Sequence, residues 1–239
     1  SSANQHKQLE INVLKTADCI IVTSENTKKE FKEKTDQEIV VITNGYDTHQ
    51  LSALRKDHKF TISHIGSFLS ERNPSNLWKV LHELIMEHEE FEAQFQLKLI
   101  GVVSDDILED IYANGLEKYV KIVGYLKHNE ALMQQRNSQL LLLVEINSDE
   151  AKAIIPGKLF EYLVSETPIL AIGPKESDVE RIIKSTNTGN YFYYDAKEDL
   201  KSQILMYFEA FKSGSLRTNP VGLKPYSRRE LTKQLAELI

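Results

Sequence analysis

The sequence is short of cysteine, of positive charge and of long apolar runs, and each shortage removes a class of protein. The single cysteine, Cys19, has no partner for a disulfide and sits in the apolar run CIIV, so a reducing compartment and a buried, inert thiol are expected. Lys and Arg number 29 against 35 Asp and Glu, a formal charge of −6, which offers no basic face to a nucleic acid. A local basic pocket stays open. No apolar stretch approaches the ~20 residues of a membrane span, and the opening SSANQHKQLE lacks the basic-then-apolar order of a secretion signal. The chain therefore reads as cytoplasmic.

Several catalytic patterns are missing too. There is no G-x-G-x-x-G and no G-x-x-x-x-G-K-[ST], which disfavours a dinucleotide dehydrogenase or a P-loop enzyme. No G-x-S-x-G marks a nucleophile elbow. The seven histidines show no ligand spacing with cysteine, and His82 and His88, six apart, do not share a helical face, so no metal site is expected. His64, on an apolar strand, reads as a satisfied core residue. Glu145, Asp149 and Glu150 form an acidic patch after a strand, which either binds sugar hydroxyls or a metal or is a solvated loop.

What is present is an ordinary globular composition: 239 residues, 41% hydrophobic and 27% charged, enough for one large or two small cores. Strand-length apolar runs occur at 19–24, 39–43, 60–66, 95–101, 120–124, 140–145, 168–173 and 189–194. They alternate with amphipathic stretches at 73–90, 104–115, 128–136, 157–165, 176–184, 196–211 and 227–239. That alternation predicts an α/β fold, a Rossmann-like doubly wound, mostly parallel sheet. Residues 1–43 read as a detached helix-strand-helix-strand, 44–58 as a polar linker, 59–211 as one doubly wound domain, and 212–239 as a loop and closing helix.

In such a sheet ligands bind at the carboxyl ends of the strands, which selects three loops. In IGSFLSERNP, Gly66 and Ser67 end a strand with minimal side chains, Arg72 supplies a charge, and Pro74 stands at a helix start. Taken alone, a surface loop with a solvated arginine accounts for it better. In IIPGKLFEYL, Pro156 fits a helix start, Gly157 clears room, and Lys158 puts an ammonium at the positive end of the helix, an unfavourable place unless an anion lies between. Glu161, one turn on, suits the two hydroxyls of a ribose. The plain alternative is a glutamate in a favourable first turn and a lysine reaching into solvent. In VGYLKHNE, Gly124 and Tyr125 follow a strand, and Tyr125 either faces a nucleobase or caps the core.

Together these segments resemble the C-terminal half of a GT-B glycosyltransferase, of the retaining family 4 type. The segment ADCIIVTSENTKKEFKEK, followed by IVVITNGYD, is similar to that family's passage out of its N-terminal domain. HIGSFLSERNP is similar to its glycine loop, with Arg72 where many members carry lysine, GKLFEYLVSETPILAIG to its donor-site helix and strand, and YSRRELTKQLAELI to its closing helix. The resemblance implies transfer of a sugar, with retention, from a nucleoside diphosphate sugar to a saccharide or lipid-linked acceptor, as in polysaccharide biosynthesis. It implies no cofactor or metal. Gly66, Ser67, Arg72 and Lys158 would hold the diphosphate, with Arg72 and Lys158 catalytic. Glu161 would hold the ribose, Gly124 and Tyr125 would meet the base, and Pro156 and Gly157 would also bind the nucleotide sugar, with backbone donors near Gly66 and Gly157 on the leaving phosphate. The family's E-x7-E motif is half present, since Glu161 matches the second glutamate and Ala153 occupies the first position. By the same likeness the acceptor half is missing: the chain resembles a fragment or an excised domain, inactive alone, whose full-length form contacts membranes only peripherally. Two alternatives stand beside it, a GT-B-like nucleotide-sugar 2-epimerase and, because of Ala153, a non-catalytic nucleotide-binding module.

Overall fold

The computed structural model describes residues 2–47 and 55–238. Strands lie at all eight expected places: β1 (Cys19–Val22), β2 (Glu38–Val41), β3 (Phe60–Ile65), β4 (Phe95–Ile100), β5 (Val120–Gly124), β6 (Leu140–Val144), β7 (Ile169–Gly173) and β8 (Gly189–Tyr193). The helices are α1 (Ser2–Thr16), α2 (Glu25–Lys32), α3 (Ser75–Glu87), α4 (Glu89–Gln94), α5 (Asp105–Ala113), α6 (His128–Asn137), α7 (Lys158–Leu163), α8 (Asp178–Thr186), α9 (Lys197–Lys212) and α10 (Arg228–Ala236). The stretch at 73–90 does not continue as one helix. At His88 the backbone turns extended, with φ −133° and ψ 100°, and α4 then brings Phe91 under the sheet to stack on Phe95 at 5.1 Å.

β3 to β8 form a single sheet in the order β5-β4-β3-β6-β7-β8, parallel throughout. The central strands β3, β6 and β7 are buried along their whole length, which is why they read as uninterrupted apolar runs, whereas the edge strands β5 and β8 are only partly buried. Alternation of side chains divides the core into two layers. Phe60, Ile62, Leu97, Leu142 and Leu170 face α3, α5 and α9, while Ile65, Leu141, Leu143 and Ala171 face α7 and α8. Beneath α6 the second layer turns polar. Lys98 pairs with Asp57 at 2.6 Å, and Asp57 also accepts from Thr61 at 2.9 Å. Lys56 donates to the Ser138 carbonyl at 2.9 Å and to Thr167 at 2.8 Å. Of the stretch read as a linker, 48–54 lie outside the described residues, and its end at Lys56 and Asp57 is built into the base of the sheet.

β1 and β2 form a separate two-stranded parallel sheet with a small core of Leu14, Ile20, Val22 and Ile39. It meets the main sheet through the start of α2. The first three amides of a helix have no partner within it, and here each finds one. Glu25 and Asn26 donate to the Asp178 carboxylate at 3.2 and 3.0 Å, and Thr27 donates to Ser24 Oγ at 3.1 Å. The Asn26 side chain adds bonds to the carbonyls of Lys152 at 3.2 Å and Glu176 at 3.0 Å. At the other end of the chain, Tyr46 bridges Ser227, and α10 covers the Gly45–Tyr46 turn with Leu231.

Asp178 is thus a buried anion capping a helix from another sheet. Asp178→Ala is expected to cost ~2 kcal/mol locally. Amide exchange at Glu25 and Asn26 should accelerate by more than tenfold while the amides of β3 to β8 keep their protection. Unchanged exchange at those two positions would contradict the capping role.

Candidate functional site

Pairing between β3 and β6 stops at Ser63–Leu141, although β3 pairs with β4 along its full length. The two strands part where the strand order reverses, the place where doubly wound sheets open a crevice. Parting leaves the Ile65 peptide groups without a strand partner on that side. α7 takes them over: the Ile65 N–H donates to Tyr162 Oη at 3.2 Å, and the Ile65 carbonyl accepts from Lys158 Nζ at 2.9 Å. Lys158 and Tyr162, four apart, share one face of α7.

Lys158 Nζ also donates to His64 Nε2 at 3.0 Å. An acceptor Nε2 puts the ring proton on Nδ1, and His64 Nδ1 is buried without a partner. His64 lies flat on Phe68, with ring centroids 4.1 Å apart. Burial, with Lys158 and Arg72 nearby, holds its pKa well below the usual histidine range, so the ring stays neutral. His64 is therefore more than a satisfied core residue, because it orients the lysine. The expected tension between Lys158 and its own helix end is partly relieved, since the ammonium reaches away to two acceptors. One of its three N–H groups remains for a ligand.

Arg72 ends the 3-10 turn Ser70–Arg72, which is pegged by Ser70 to Asp106 at 2.8 Å and by Asn73 to Asp110 at 2.9 Å. Arg72 and Lys158 line one small cavity, together with Pro156, Ile154 and Glu145. Among the described residues neither cation has a carboxylate within ion-pair distance. Burial, with Arg72 adding repulsion, lowers Lys158 to about 8. Two adjacent, unpaired cations at a crevice form a niche for an anion.

Gly66, Gly101 and Gly124 end three neighbouring strands with φ of +110°, +113° and +77°. A side chain at Gly101 would stand 2.6 Å from the Gly66 carbonyl oxygen, so the shelf closes only with glycine there. Ser67 is exposed beside this shelf, and Phe68 is fully buried and anchors the loop through its N–H to Val102 O at 2.8 Å. Tyr125 is 85% exposed, so it does not cap the core. α7 begins at Lys158, which leaves Pro156 two residues before it, and Gly157 faces open space with no contact that demands glycine. Glu161 points toward α6, accepting from Gln135 at 2.8 Å with His128 3.8 Å away, and lines a different cavity from Lys158. The structure therefore gathers Gly66, Arg72, Pro156 and Lys158. Glu161 flanks them, and Gly124 and Tyr125 lie at the end of β5, on the far side of β4 from β3.

Gly101 and Tyr162 were not singled out in the sequence, His64 was read as core, and Glu145 was read only as one member of an acidic patch. Gly101 carried a legible signal: HIG, LIG, IVG and AIG each close a strand with glycine.

No family model and no curated protein matches the sequence. Solved structures do match. A mutant of S. aureus TarM in complex with fondaparinux, alpha-GlcNAc-glycerol and UDP aligns with TM-score 0.71 and 16% identity over 98% of this chain and 46% of its own. Anabaena Alr3699/HepE in complex with UDP gives 0.71 and 15% over 97% and 66%. Sucrose-phosphate synthase from Thermosynechococcus elongatus gives 0.69 and 14% over 97% and 60%. The fold is that of GT-B glycosyltransferases. The chain spans about half to two thirds of these GT-B structures. Among the described residues no helix is long and apolar enough to cross a membrane.

In this GT-B domain Lys158 is expected to titrate near pH 8 and to move toward 10.5 in Arg72→Gln, which removes the repelling charge. Lysine side-chain NMR across pH reads this directly, and an ordinary lysine titration in the wild type would contradict it. From about pH 8 to 10.5 the unfolded chain holds a proton that the folded chain has released. The contribution of Lys158 to unfolding free energy therefore rises with pH over that window.

Proposed function

We propose that this chain is the donor-binding part of a glycosyltransferase that moves a sugar from a nucleoside diphosphate sugar to a saccharide or lipid-linked acceptor, with retention. The observation that carries this reading is the pair of unpaired cations, Arg72 and Lys158, beside the glycine shelf where β3 and β6 part. The UDP held by TarM and HepE, proteins of the same fold, supports a nucleoside diphosphate as the anion. Retention rests on the resemblance to family 4. In the transfer, the bond from the anomeric carbon to the β-phosphate oxygen breaks with its electron pair leaving on the phosphate. An acceptor oxygen then bonds the anomeric carbon, and its proton goes to the departing diphosphate.

The charge that grows on that phosphate is what the site stabilises. Arg72 and the free N–H of Lys158 face it from fixed positions, so little reorganisation is needed as the bond breaks. Glu161 holds the ribose from the side of α6, and Tyr125 offers its exposed ring to the base. Acceptor binding belongs to the remainder of such an enzyme, and the isolated chain binds nucleotide but transfers sugar slowly or not at all.

Calorimetry with UDP and GDP tests the site. Lys158→Ala and Arg72→Ala should each weaken the preferred diphosphate by ~10–100-fold, the scale of one charge-assisted hydrogen bond. In a full-length enzyme each would raise the transfer barrier by ~3 kcal/mol. Equal binding by wild type and both variants would remove the assignment.

A further inference from the structure

Glu145, the residue after β6, parts company with the rest of its acidic patch. Asp149 is solvated and pairs with Lys152 at 2.7 Å, whereas Glu145 is only 5% exposed. Its Oε2 accepts from Tyr191 Oη at 2.6 Å and from Ser177 Oγ at 3.0 Å, and its backbone carbonyl accepts from Tyr194 Oη at 2.7 Å. A side chain at Gly173 would overlap both the Tyr191 hydroxyl and this carboxylate. Three strand ends and the start of α8 thus combine to fix one carboxylate. Its other oxygen, Oε1, is buried and has no partner. Leaving a buried acceptor unsatisfied costs ~1–3 kcal/mol, so such an atom on a residue that lines a cavity points to a missing donor.

Glu145 lines the same cavity as Arg72 and Lys158. The cavity is about 20 Å³, room for one water-sized oxygen, and Val144, Ala151 and Ile154 make its remaining wall apolar. An occupant must donate on the Glu145 side and accept on the cationic side. A phosphate oxygen only accepts and is repelled by the carboxylate, and an ammonium only donates. A hydroxyl, of water or of a sugar, does both.

We propose that Glu145 reads the glycosyl group of the donor: Oε1 accepts one hydroxyl of the sugar, which enters the cavity between Glu145, Arg72 and Lys158. This rests on the donor-site reading above and adds a specificity-determining residue to it. The carboxylate is faced by Tyr191 from β8, by Asp178 and Glu180 from α8, and by Arg72 and Lys158 across the cavity. Burial lifts Glu145 to about 7, against the pull of Tyr191 and Ser177, so its acceptor character is lost on mild acidification.

The test compares bare UDP and GDP with UDP-glucose, UDP-N-acetylglucosamine and GDP-mannose by calorimetry. Glu145→Gln keeps an acceptor for Tyr191 and Ser177 but replaces the free oxygen with a donor, and Glu145→Asp keeps the charge while withdrawing it from the cavity. Both variants are expected to bind the bare diphosphates within twofold of wild type and to bind the preferred sugar conjugate ~10-fold more weakly. The conjugate affinity of wild type relative to that of Glu145→Gln should fall between pH 8 and 6. Ionisation of Lys158 and of the ligand itself is common to both proteins and cancels in that ratio. Equal conjugate affinities in wild type and both variants, or a ratio of wild type to Glu145→Gln that does not change with pH, overturn the inference while the donor site stands. If wild type binds neither bare diphosphate, the donor-site reading fails and this inference with it.

Discussion

The Ile65 peptide unit is the hinge of the architecture. Hydrogen bonds along a parallel sheet are obligatory, and a buried N–H or carbonyl that loses its strand partner must find another. Where β3 leaves β6, Tyr162 and Lys158 supply the replacements. The crevice and the residue that reaches into it therefore share one cause, since the separation that makes room for a ligand also draws the ammonium to its edge. Gly66, immediately after Ile65, leaves its backbone open above Lys158 Nζ.

Charge is distributed around this hinge with an economy that packing alone does not explain. His64 stays neutral and accepts from Lys158, Arg72 approaches from the following turn, and Glu145 closes the far wall. Burial pushes Lys158 down and Glu145 up, toward each other and toward neutrality. The niche keeps the charge of Arg72 and, below about pH 8, that of Lys158. A bound anion would hold the proton on Lys158 to higher pH.

Much of the fold was legible because its strands are short, apolar and evenly interleaved with amphipathic stretches, so period and length agree on every element. The departures are local. The end of α3 at His88 has no glycine or proline to announce it and follows from the need to bring Phe91 onto Phe95. The site was legible where a loop follows a strand with glycine or a charge, as at Gly66, Arg72 and Lys158. It was illegible where the decisive partners are distant: Glu145 lies next in sequence to solvated acids, and only Ser177 and Tyr191, more than thirty residues away, remove it from water. His64 likewise needed Lys158, 94 residues on, to acquire a role.

The attachment of α2 carries a mechanical implication. Asn26 bonds the carbonyl of Lys152, within the Glu150–Ala153 turn, and that of Glu176, which has a positive φ of 64°. Ala151 of the same turn lines the cavity that Arg72 also lines. A swing of the smaller sheet about the larger one must either rupture these contacts or pull that wall with it, so leverage on the N-terminal segment is transmitted to the cavity through two hydrogen bonds of one asparagine.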